Sequence, residues 1–378
     1  MVPEGWELKS LKSVTKIFDG THQTPKYVET GVPFYSVEHV TADQFSQTKY
    51  ISEDVYEKES QRVALEKNDI LMTRIGDIGT AKEIDWDVRA SFYVSLALIK
   101  KNSSFDSTYL KNYINSRQFQ AEIWKRTIHV AFPKKINLGE IGHCEALFPP
   151  LPEQKKIAQI LSTWDQAISA IERLLENSQQ RKKGLMQQLL TGKKRLPGFE
   201  GEWNFISFSD GFSVANQKTS QVKSSEYQVS GTIPIVDQSQ NEIAGYCENN
   251  SPYTDVPVIV FGDHTRALKW VDFPFCPGAD GTQVLKAKPI MGDKFAYFIL
   301  SHVELPNLGY SRHMRELKQR EFKIAVDVNE QRGIADVLTT ADEEIQVIDK
   351  RLTCLKQEKK ALMQQLLTGK RRVQAEVA

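Results

Sequence analysis

Leu-Met-Gln-Gln-Leu-Leu-Thr-Gly-Lys fills positions 185–193 and recurs letter for letter at positions 362–370, an offset of 177 residues. The match extends backwards without a gap to Glu153 and Glu330, and 22 of these 41 aligned positions are identical. The sequence between the two copies is unrelated to them. A segment duplicated in this way predicts a two-fold pseudosymmetric molecule, in which a repeated frame carries two variable modules.

Both copies place apolar residues at alternating intervals of four and three. That spacing averages 3.5 residues per turn, so it predicts a long helix with one apolar seam. Each helix should span about 39 residues, or ~58 Å. Since a lone helix would leave its seam in water, we expect the two to pack antiparallel, with two separate helical hairpins as the alternative. The residues expected in this helix-pair interface are Ile157, Leu161, Trp164, Ile168, Leu175, Lys182, Leu189, Leu338, Ile345, Leu352, Lys359 and Leu366.

One polar residue, Lys182 or Lys359, interrupts each seam at the same place in the repeat. Such a lysine either extends its ammonium group to solvent along the apolar surface or penalises other alignments of the two helices. If the pseudo-two-fold axis crosses the helices near residues 173 and 350, Lys359 lies close to Trp164 and Lys182 lies close to Ala341.

Gly192 and Gly369 follow the two helices, at the position where a left-handed C-cap residue belongs. Basic residues come directly after each glycine, which is favourable near a helix C-terminus. By the pseudosymmetry, we expect the chain after Gly369 to return to the N-terminus, so that residues 371–378 lie near Met1.

Short β-like runs broken by Gly, Pro, Asn and Asp fill the rest of the chain and predict two modules, each dominated by a twisted sheet. Ile75-Gly76-Asp77 in the first module matches Phe261-Gly262-Asp263 in the second. The expected fold class is α/β (α+β), with two pseudosymmetric globular domains separated by two long antiparallel coiled-coil helices. The expected boundaries are 1–150 and 196–327 for the domains, 151–195 and 328–372 for the helices, and 373–378 for a C-terminal tail.

The composition is that of a globular protein, with 40% hydrophobic residues, 26% charged residues and a net charge of +1. With no leader and no apolar run of about twenty residues, we expect neither export nor a membrane span and place the chain in the cytoplasm. The four scattered cysteines are expected to be reduced thiols. Net charges of −1, +4, −3 and +1 for residues 1–150, 151–200, 201–327 and 328–378 argue against a protein that grips a polyanion by bulk positive charge alone.

Motifs of catalysis are missing from the sequence. It holds no Walker-type phosphate loop, no Gly-x-Gly-x-x-Gly after a strand and no His-Glu-x-x-His. Phe148-Pro149-Pro150-Leu151 superficially resembles an adenine-methyltransferase signature but lacks its polar first residue and its terminal aromatic. Asp77 and Asp263 each follow a glycine, without a partner at metal-ligand or acid–base spacing. We therefore expect no catalytic residue, no metal site and no cofactor in this chain.

Basic and amide-bearing residues concentrate in stretches that look like loops. Lys and Arg there can neutralise phosphates, Arg can read guanine bidentately, and Gln and Asn suit the edge of adenine. For any one of them, a solvated basic face or a structural turn is the alternative. The candidates for DNA contact are His22, Gln23, Arg74, Lys125, Arg126, His129, Lys134 and Lys135 in the first module and Gln238, Gln240, Asn241, Arg266, Arg312, His313 and Arg315 in the second.

Three runs carry a resemblance to a known family. Residues 149–158 read Pro-Pro-Leu-Pro-Glu-Gln-Lys-Lys-Ile-Ala, residues 189–193 read Leu-Leu-Thr-Gly-Lys, and residues 262–266 read Gly-Asp-His-Thr-Arg. Together with the second copy of the repeat, they resemble the specificity (DNA-recognition) subunit of type I restriction–modification enzymes, over the whole chain. One departure is Asp327-Val328-Asn329, which stands where the second copy would have Leu-Pro and puts the cap of the second helix in question.

The resemblance implies two target recognition domains, each reading one half of an asymmetric bipartite site in double-stranded DNA, and the antiparallel helix pair independently predicts half-sites about 10 bp apart. It implies that the helix pair sets this gap and docks two methyltransferase subunits, which would bind S-adenosylmethionine. Mg and ATP would belong to partner subunits as well, and the sequence leaves open whether a restriction (translocase) subunit joins. The chain itself would be non-catalytic. The rival hypothesis is a coiled-coil scaffold whose two modules bind protein partners.

Overall fold

The computed structural model of the protein describes residues 2–249, 251–279, 281–307, 309 and 311–374. Its contacts divide the chain into two compact units, Met1–Glu172 with Arg351–Ala378 and Arg173–Lys350. Each unit therefore joins one of the modules to a segment of each long helix.

The elements follow the chain in the order that the repeat predicts, with module, helix, module, helix. Those of the first module are β1 (Glu7–Ser10), α1 (Leu11–Val14), β2 (Ile17–Asp19), β3 (Tyr27–Val28), β4 (Val32–Tyr35), α2 (Val37–Ala42), β5 (Lys49–Ile51), α3 (Glu53–Ser60), β6 (Ile70–Ile75), β7 (Asp77–Glu83), β8 (Ser91–Phe92), β9 (Leu96–Ile99), α4 (Ser107–Ile114), α5 (Arg117–Arg126), α6 (Leu138–His143) and β10 (Glu145–Phe148). The first long helix is α7 (Leu151–Leu189). The second module and the second long helix are formed by β11 (Trp203–Ser207), α8 (Phe208–Gly211), β12 (Phe212–Val214), β13 (Ile233–Val236), β14 (Gly245–Cys247), β15 (Val258–Gly262), β16 (Leu268–Val271), β17 (Cys276–Pro277), β18 (Thr282–Ala287), α9 (Asp293–His302), α10 (Met314–Lys318), β19 (Glu321–Ala325) and α11 (Val328–Leu366), with 3-10 turns at Lys218–Ser220 and Ser224–Glu226.

The first unit is built on a four-stranded antiparallel sheet in the order β2-β9-β6-β7. Ile70 and Met72 of β6 lie in one core cluster and Leu71 lies in another, so both faces of the strand are covered. A continuous apolar run is the expected sequence of such a strand. A second sheet, β3-β5-β4-β8, contains the parallel pair β4–β8, and β1 pairs with β10.

The second unit repeats this plan. Its four-stranded sheet runs β12-β18-β15-β16, its three-stranded sheet β14-β13-β17 contains the parallel pair β13–β17, and β11 pairs with β19. Ile259 and Phe261 of β15 lie in one core cluster, while Val258 and Val260 lie in another. The two Gly-Asp landmarks therefore occupy the same place in both units, at the end of the central strand β6 or β15.

The two long helices are each 39 residues long, as the repeat predicts. Gly192 and Gly369 both have φ of 68°, which confirms the predicted left-handed C-caps. At the start of α11, the Asp327 carboxylate accepts a hydrogen bond from the Asn329 N–H at 2.8 Å. An aspartate is a favoured helix cap, so the departure from the repeat at this point still satisfies the helix N-terminus.

The ends of the predicted seam are buried in the module cores rather than in an interface made by helices alone. Ile157, Leu161 and Leu366 belong to the core of the first unit, and Leu189 and Leu338 belong to the core of the second. A periodic apolar pattern shows that a helix face is covered but does not show what covers it. Among the other expected interface positions, Leu352 is buried. The partly buried ones are Trp164, Ile168, Leu175 and Ile345.

Ion pairs show the relative direction of the helix segments in the first unit. Lys359 pairs with Asp165, and the Lys356 Nζ lies 2.7 Å from the Glu172 carboxylate. Residue numbers rise on one segment as they fall on the other, so the segments are antiparallel. Only 16% of the Lys359 side chain is exposed, and it ends at a carboxylate rather than in open solvent.

The second unit shows the same arrangement. Lys182 pairs with Asp342, and Arg181 pairs with Glu344. The predicted neighbour of Lys182 was Ala341, and its partner is the next residue, Asp342. Lys359 likewise pairs with the residue that follows its predicted neighbour, Trp164. The register inferred from the pseudo-two-fold axis was therefore correct to within one residue.

The end of the chain returns to its beginning in the first unit. Arg372 Nη1 donates to the Glu4 carbonyl oxygen at 2.7 Å, and Gly369 packs against Pro3. The predicted return toward the N-terminus is thus confirmed at Arg372. Met1 and residues 375–378 of the predicted segment lie outside the described residues.

Candidate nucleic-acid interface

In the first unit, the basic loop (residues 128–135) is anchored to the end of β6. The Gly76 N–H donates to the Lys134 carbonyl oxygen at 2.9 Å, and Lys135 forms an isolated antiparallel bridge with Ile75. Gly76 has φ of 84°, a conformation that favours glycine. The Gly-Asp landmark and the basic run, two separate features of the sequence, therefore belong to one site.

Arg74 requires a correction. The sequence suggested it as a DNA ligand, but only 8% of it is exposed. Its Nε donates to the Ile136 carbonyl oxygen at 3.2 Å and its Nη1 to that of Val94 at 2.9 Å. Burial lowers the pKa of Arg74, and the nearby Asp19 carboxylate opposes this shift. Arg74 therefore joins backbone segments beneath the site and has little surface with which to contact DNA.

The loop after β2 reaches the same region through Asp19. The Asp19 carboxylate lies 2.8 Å from His22 Nε2 and 3.7 Å from Arg74 Nη1. Partial burial acts to raise the pKa of Asp19, but hydrogen bonds from Arg62 and His22 lower it overall. His22 and Gln23 are exposed. Arg74 thus connects the loop that carries His22 and Gln23 to the basic loop.

The remaining candidates of the first unit divide by exposure. Arg126 is partly buried, and its guanidinium lies 2.8 Å from the Glu122 carboxylate and 3.3 Å from that of Glu140, which neutralises it locally. The exposed cations and donors are Lys125, His129, Lys134 and Lys135.

The sequence-based selection missed the apolar surface of this region. Trp124, Val130 and Phe132 are exposed by 59%, 97% and 105%. The His129 and Trp124 rings lie 4.1 Å apart, and the Lys134 ammonium lies 5.1 Å from the centre of the Trp124 ring. The available signal was an aromatic residue next to a pair of lysines in a loop, which a search limited to hydrogen-bonding groups passes over.

In the second unit, Asp263 follows the central strand β15 and holds the chain segment that leads into α10. Its carbonyl oxygen accepts from the His313 N–H at 2.8 Å, and its carboxylate accepts from the Met314 N–H at 2.6 Å. His313 is fully buried, and its Nδ1 lies 2.9 Å from the same carbonyl oxygen. The proposed base contact by His313 therefore needs the same correction as Arg74, because its ring supports the loop from inside.

The amide-rich stretch after β13 is also part anchor and part surface. Gln238 is partly buried; its Oε1 accepts from the His264 N–H at 3.2 Å, and its carbonyl oxygen accepts from the Thr265 hydroxyl. Gln240 and Asn241 are exposed. Gln238 therefore fastens the loop to the end of the strand, while Gln240 and Asn241 remain accessible to solvent.

Three arginines complete the second unit's set of candidates. Arg266 has φ of 63°, and its Nη1 donates to the Leu305 carbonyl oxygen at 3.2 Å. Arg312 and Arg315 are exposed, and the Arg312 Nε lies 4.0 Å from the Asp263 carboxylate. The end of the central strand thus carries exposed amides from one loop and exposed guanidinium groups from another.

The exposed groups at both strand ends are of the kinds used in recognition. Exposed cations and hydrogen-bond donors on anchored loops suit phosphates and base edges. In the part of the chain that the structure describes, no group of three or more His, Cys, Asp or Glu residues could hold a metal ion. The helices of that same part include none that is long and apolar enough to cross a membrane.

Comparison with known proteins gives one consistent result. Residues 3–178 match the family model of the type I restriction modification DNA specificity domain. A protein of Methanocaldococcus jannaschii that bears the name of the MjaX specificity subunit of a type I restriction enzyme is 25% identical, over 98% of this chain and 95% of its own. The MjaVIII specificity subunit of the same organism is 24% identical, over 98% and 94%.

A solved structure shares the fold. The S subunit of a type I restriction–modification system from M. genitalium superposes with a TM-score of 0.66 at 15% identity, covering 97% of this chain and 96% of that one. At this identity the likeness concerns the fold, and it includes both modules and both long helices.

Proposed function

The chain belongs to the type I restriction–modification DNA specificity family, and we propose that each of its two modules binds one half of an asymmetric, bipartite site in double-stranded DNA. This proposal rests on the arrangement at the end of the central strand, which occurs in both units. Both units anchor loops at the end of one central strand, yet the exposed groups on those loops differ between the units. Two similar frames with unlike surfaces suit two different half-sites.

The exposed groups suggest how each half-site is held. The first unit offers lysines, of which Lys134 and Lys135 follow directly on the loop tip, and the second offers Arg312 and Arg315 beside the amides of Gln240 and Asn241. Lysines act on phosphates as point charges, whereas arginine and amide groups also read base edges. The second unit therefore has the richer set of groups for direct base contacts.

The chain works in a complex under this proposal. The partners are two methyltransferase subunits docked on the long helices, joined in a restricting system by translocase subunits. S-adenosylmethionine, Mg and ATP would be bound by those partners, and this chain would be a non-catalytic reader in the cytoplasm. A scaffold whose modules bind proteins is not favoured, because the matched family is a DNA specificity family.

Methylome sequencing with the cognate methyltransferase tests the bipartite site. The expected result is two short motifs of different sequence, separated by a gap of fixed length. One continuous motif would contradict the two-module proposal. Absence of any sequence preference would contradict DNA reading altogether.

A charge-removal series tests the two interfaces separately. In the assembled complex, Lys134→Ala with Lys135→Ala and Arg312→Ala with Arg315→Ala should each reduce the slope of log Kobs against log salt by ~2, because two phosphate contacts are lost. Lys183→Ala, an exposed lysine on α7, is the control and should leave the slope unchanged. A loss of specificity at one half-motif only, confined to the arginine variant, would mark base reading by the second unit.

A further inference from the structure

The tip of the basic loop in the first unit carries two almost fully exposed apolar side chains. Phe132 is 105% exposed and Val130 is 97% exposed. Large apolar side chains gain free energy when they leave water. Single exposed apolar residues are common on protein surfaces, but two at one loop tip beside cations indicate a contact that is made on binding.

The tip is held in place from below. The Ile128 N–H donates to the Lys135 carbonyl oxygen at 2.8 Å and closes the loop. His129 Nε2 lies 2.9 Å from the Trp124 carbonyl oxygen, and the two rings are in contact. Lys134 lies over the same tryptophan ring. A loop ordered in this way loses little conformational entropy when it binds.

The charge around the tip identifies the chemistry of the partner. Lys134 and Lys135 follow the two apolar side chains in the same loop and are exposed, and Lys125 is exposed next to Trp124 on α5. Double-stranded DNA meets both kinds of group, because its phosphates neutralise the lysines while its base stack accepts an apolar side chain between two steps. Proteins that combine backbone contacts with such a wedge kink or unstack the duplex at the point of insertion.

We propose that Phe132 inserts as a wedge between adjacent base pairs of the half-site bound by the first unit, with Val130 contacting the groove beside it. This inference rests on the proposed DNA-binding function. A wedge selects a base step by its ease of unstacking, so the half-site should contain a flexible pyrimidine–purine step that no side chain reads by hydrogen bonds. The first unit would then obtain part of its specificity from deformation, which compensates for its smaller set of base-reading groups.

The test uses the full chain assembled with its methyltransferase subunits, and a duplex that contains the site mapped by methylome sequencing. 2-Aminopurine replaces the adenines in and beside the half-site, on either strand, one at a time, excluding the methylated adenine, since its extrusion would raise the fluorescence by itself. Binding of the unmodified protein should raise the fluorescence at one step. Phe132→Ala should abolish that rise and weaken binding ~10-fold, while Phe132→Leu, which keeps a wedge, should retain most of the rise.

Two comparisons make the outcome decisive. Phe205→Ala removes a 68% exposed phenylalanine from β11 in the second unit and should change neither signal nor affinity. Because no charge is lost, Phe132→Ala should leave the salt slope unchanged. The wedge is overturned if Phe132→Ala behaves like Phe205→Ala, or if it weakens binding while the fluorescence pattern stays the same. If the unmodified complex does not bind the mapped duplex, the proposed function fails as well.

Discussion

The two units fasten their long helices to their modules with the same charged clamp but a different hydrogen bond. In the first unit, Arg372 donates to both carboxylate oxygens of Glu153 at 2.7 and 2.8 Å, and the Trp6 indole N–H donates to the same carboxylate at 3.1 Å. This carboxylate thus holds the start of α7, the end of the described chain and the beginning of the first module together. We call this set clamp 1.

Clamp 2, formed by Glu330, Arg195 and Trp203, repeats the charges without the indole hydrogen bond. Arg195 binds both Glu330 oxygens, and its guanidinium lies 5.8 Å from the Trp203 ring, against 5.6 Å in clamp 1. Among the residues that the structure describes, the buried Trp203 N–H finds no hydrogen-bond partner. The ion pair and the stacked ring are therefore the repeated parts of the clamp, and the indole hydrogen bond is specific to the first unit.

Removing the clamp carboxylate should give the largest effect. Glu153→Gln keeps the side-chain volume but takes the charge away from three donors, so it should lower the free energy of unfolding of the first unit by about 2 kcal/mol. Glu330→Gln should cost the second unit less, because Arg195 is the one side chain among the described residues that donates to its carboxylate. Hydrogen exchange, read separately for the amides of each unit, measures both effects.

An exposed ion pair supplies the control for this comparison. Glu172→Gln breaks the contact with Lys356, in which both side chains are about half exposed, and should change stability by less than about 0.5 kcal/mol. If Glu330→Gln proved more costly than Glu153→Gln, the indole hydrogen bond would not be what distinguishes the two clamps.

The tryptophans allow a sharper test of the same difference. Trp6→Phe should destabilise the first unit by about 1 kcal/mol, because a hydrogen bond to a buried carboxylate is lost. Trp203→Phe should be close to neutral, since the indole N–H that it removes has no hydrogen-bond partner among the residues that the structure describes. Equal losses in the two variants, measured by denaturant unfolding of the full chain, would mean that ring packing alone decides both.

The sequence predicted the helices well because periodicity and duplication are local signals. The lengths of α7 and α11 and the glycine caps come from spacing within one segment, and the lysine register, correct to within one residue, comes from the symmetry between the two copies of the repeat. The covering of the seam ends could not be predicted, since Ile157 and Leu338 pack against residues distant in the sequence. The clamps were missed for the same reason, because Glu153 and Arg372 are 219 residues apart.

The candidate site was predicted in part. Residue types that suit DNA led to loops at the strand ends, where basic and amide groups concentrate, and their contact with DNA stays a prediction. Composition alone could not separate the residues that face solvent from those that hold the loops, as Arg74 and His313 show. It also favoured polar groups and therefore overlooked Phe132.

The register lysines should give the smallest difference between the two units. Lys359→Met leaves Asp165 with a second cation, since the Lys111 Nζ lies 3.8 Å from its carboxylate. Within the described part of the chain, Lys182 is the one ion-pair partner of Asp342, so Lys182→Met should cost about 0.5 kcal/mol and Lys359→Met less. Native mass spectrometry of the complex with methyltransferase subunits adds a second measurement. If both variants keep their stability and their partner stoichiometry, the lysines do not set the register of the helices, and apolar packing alone determines it.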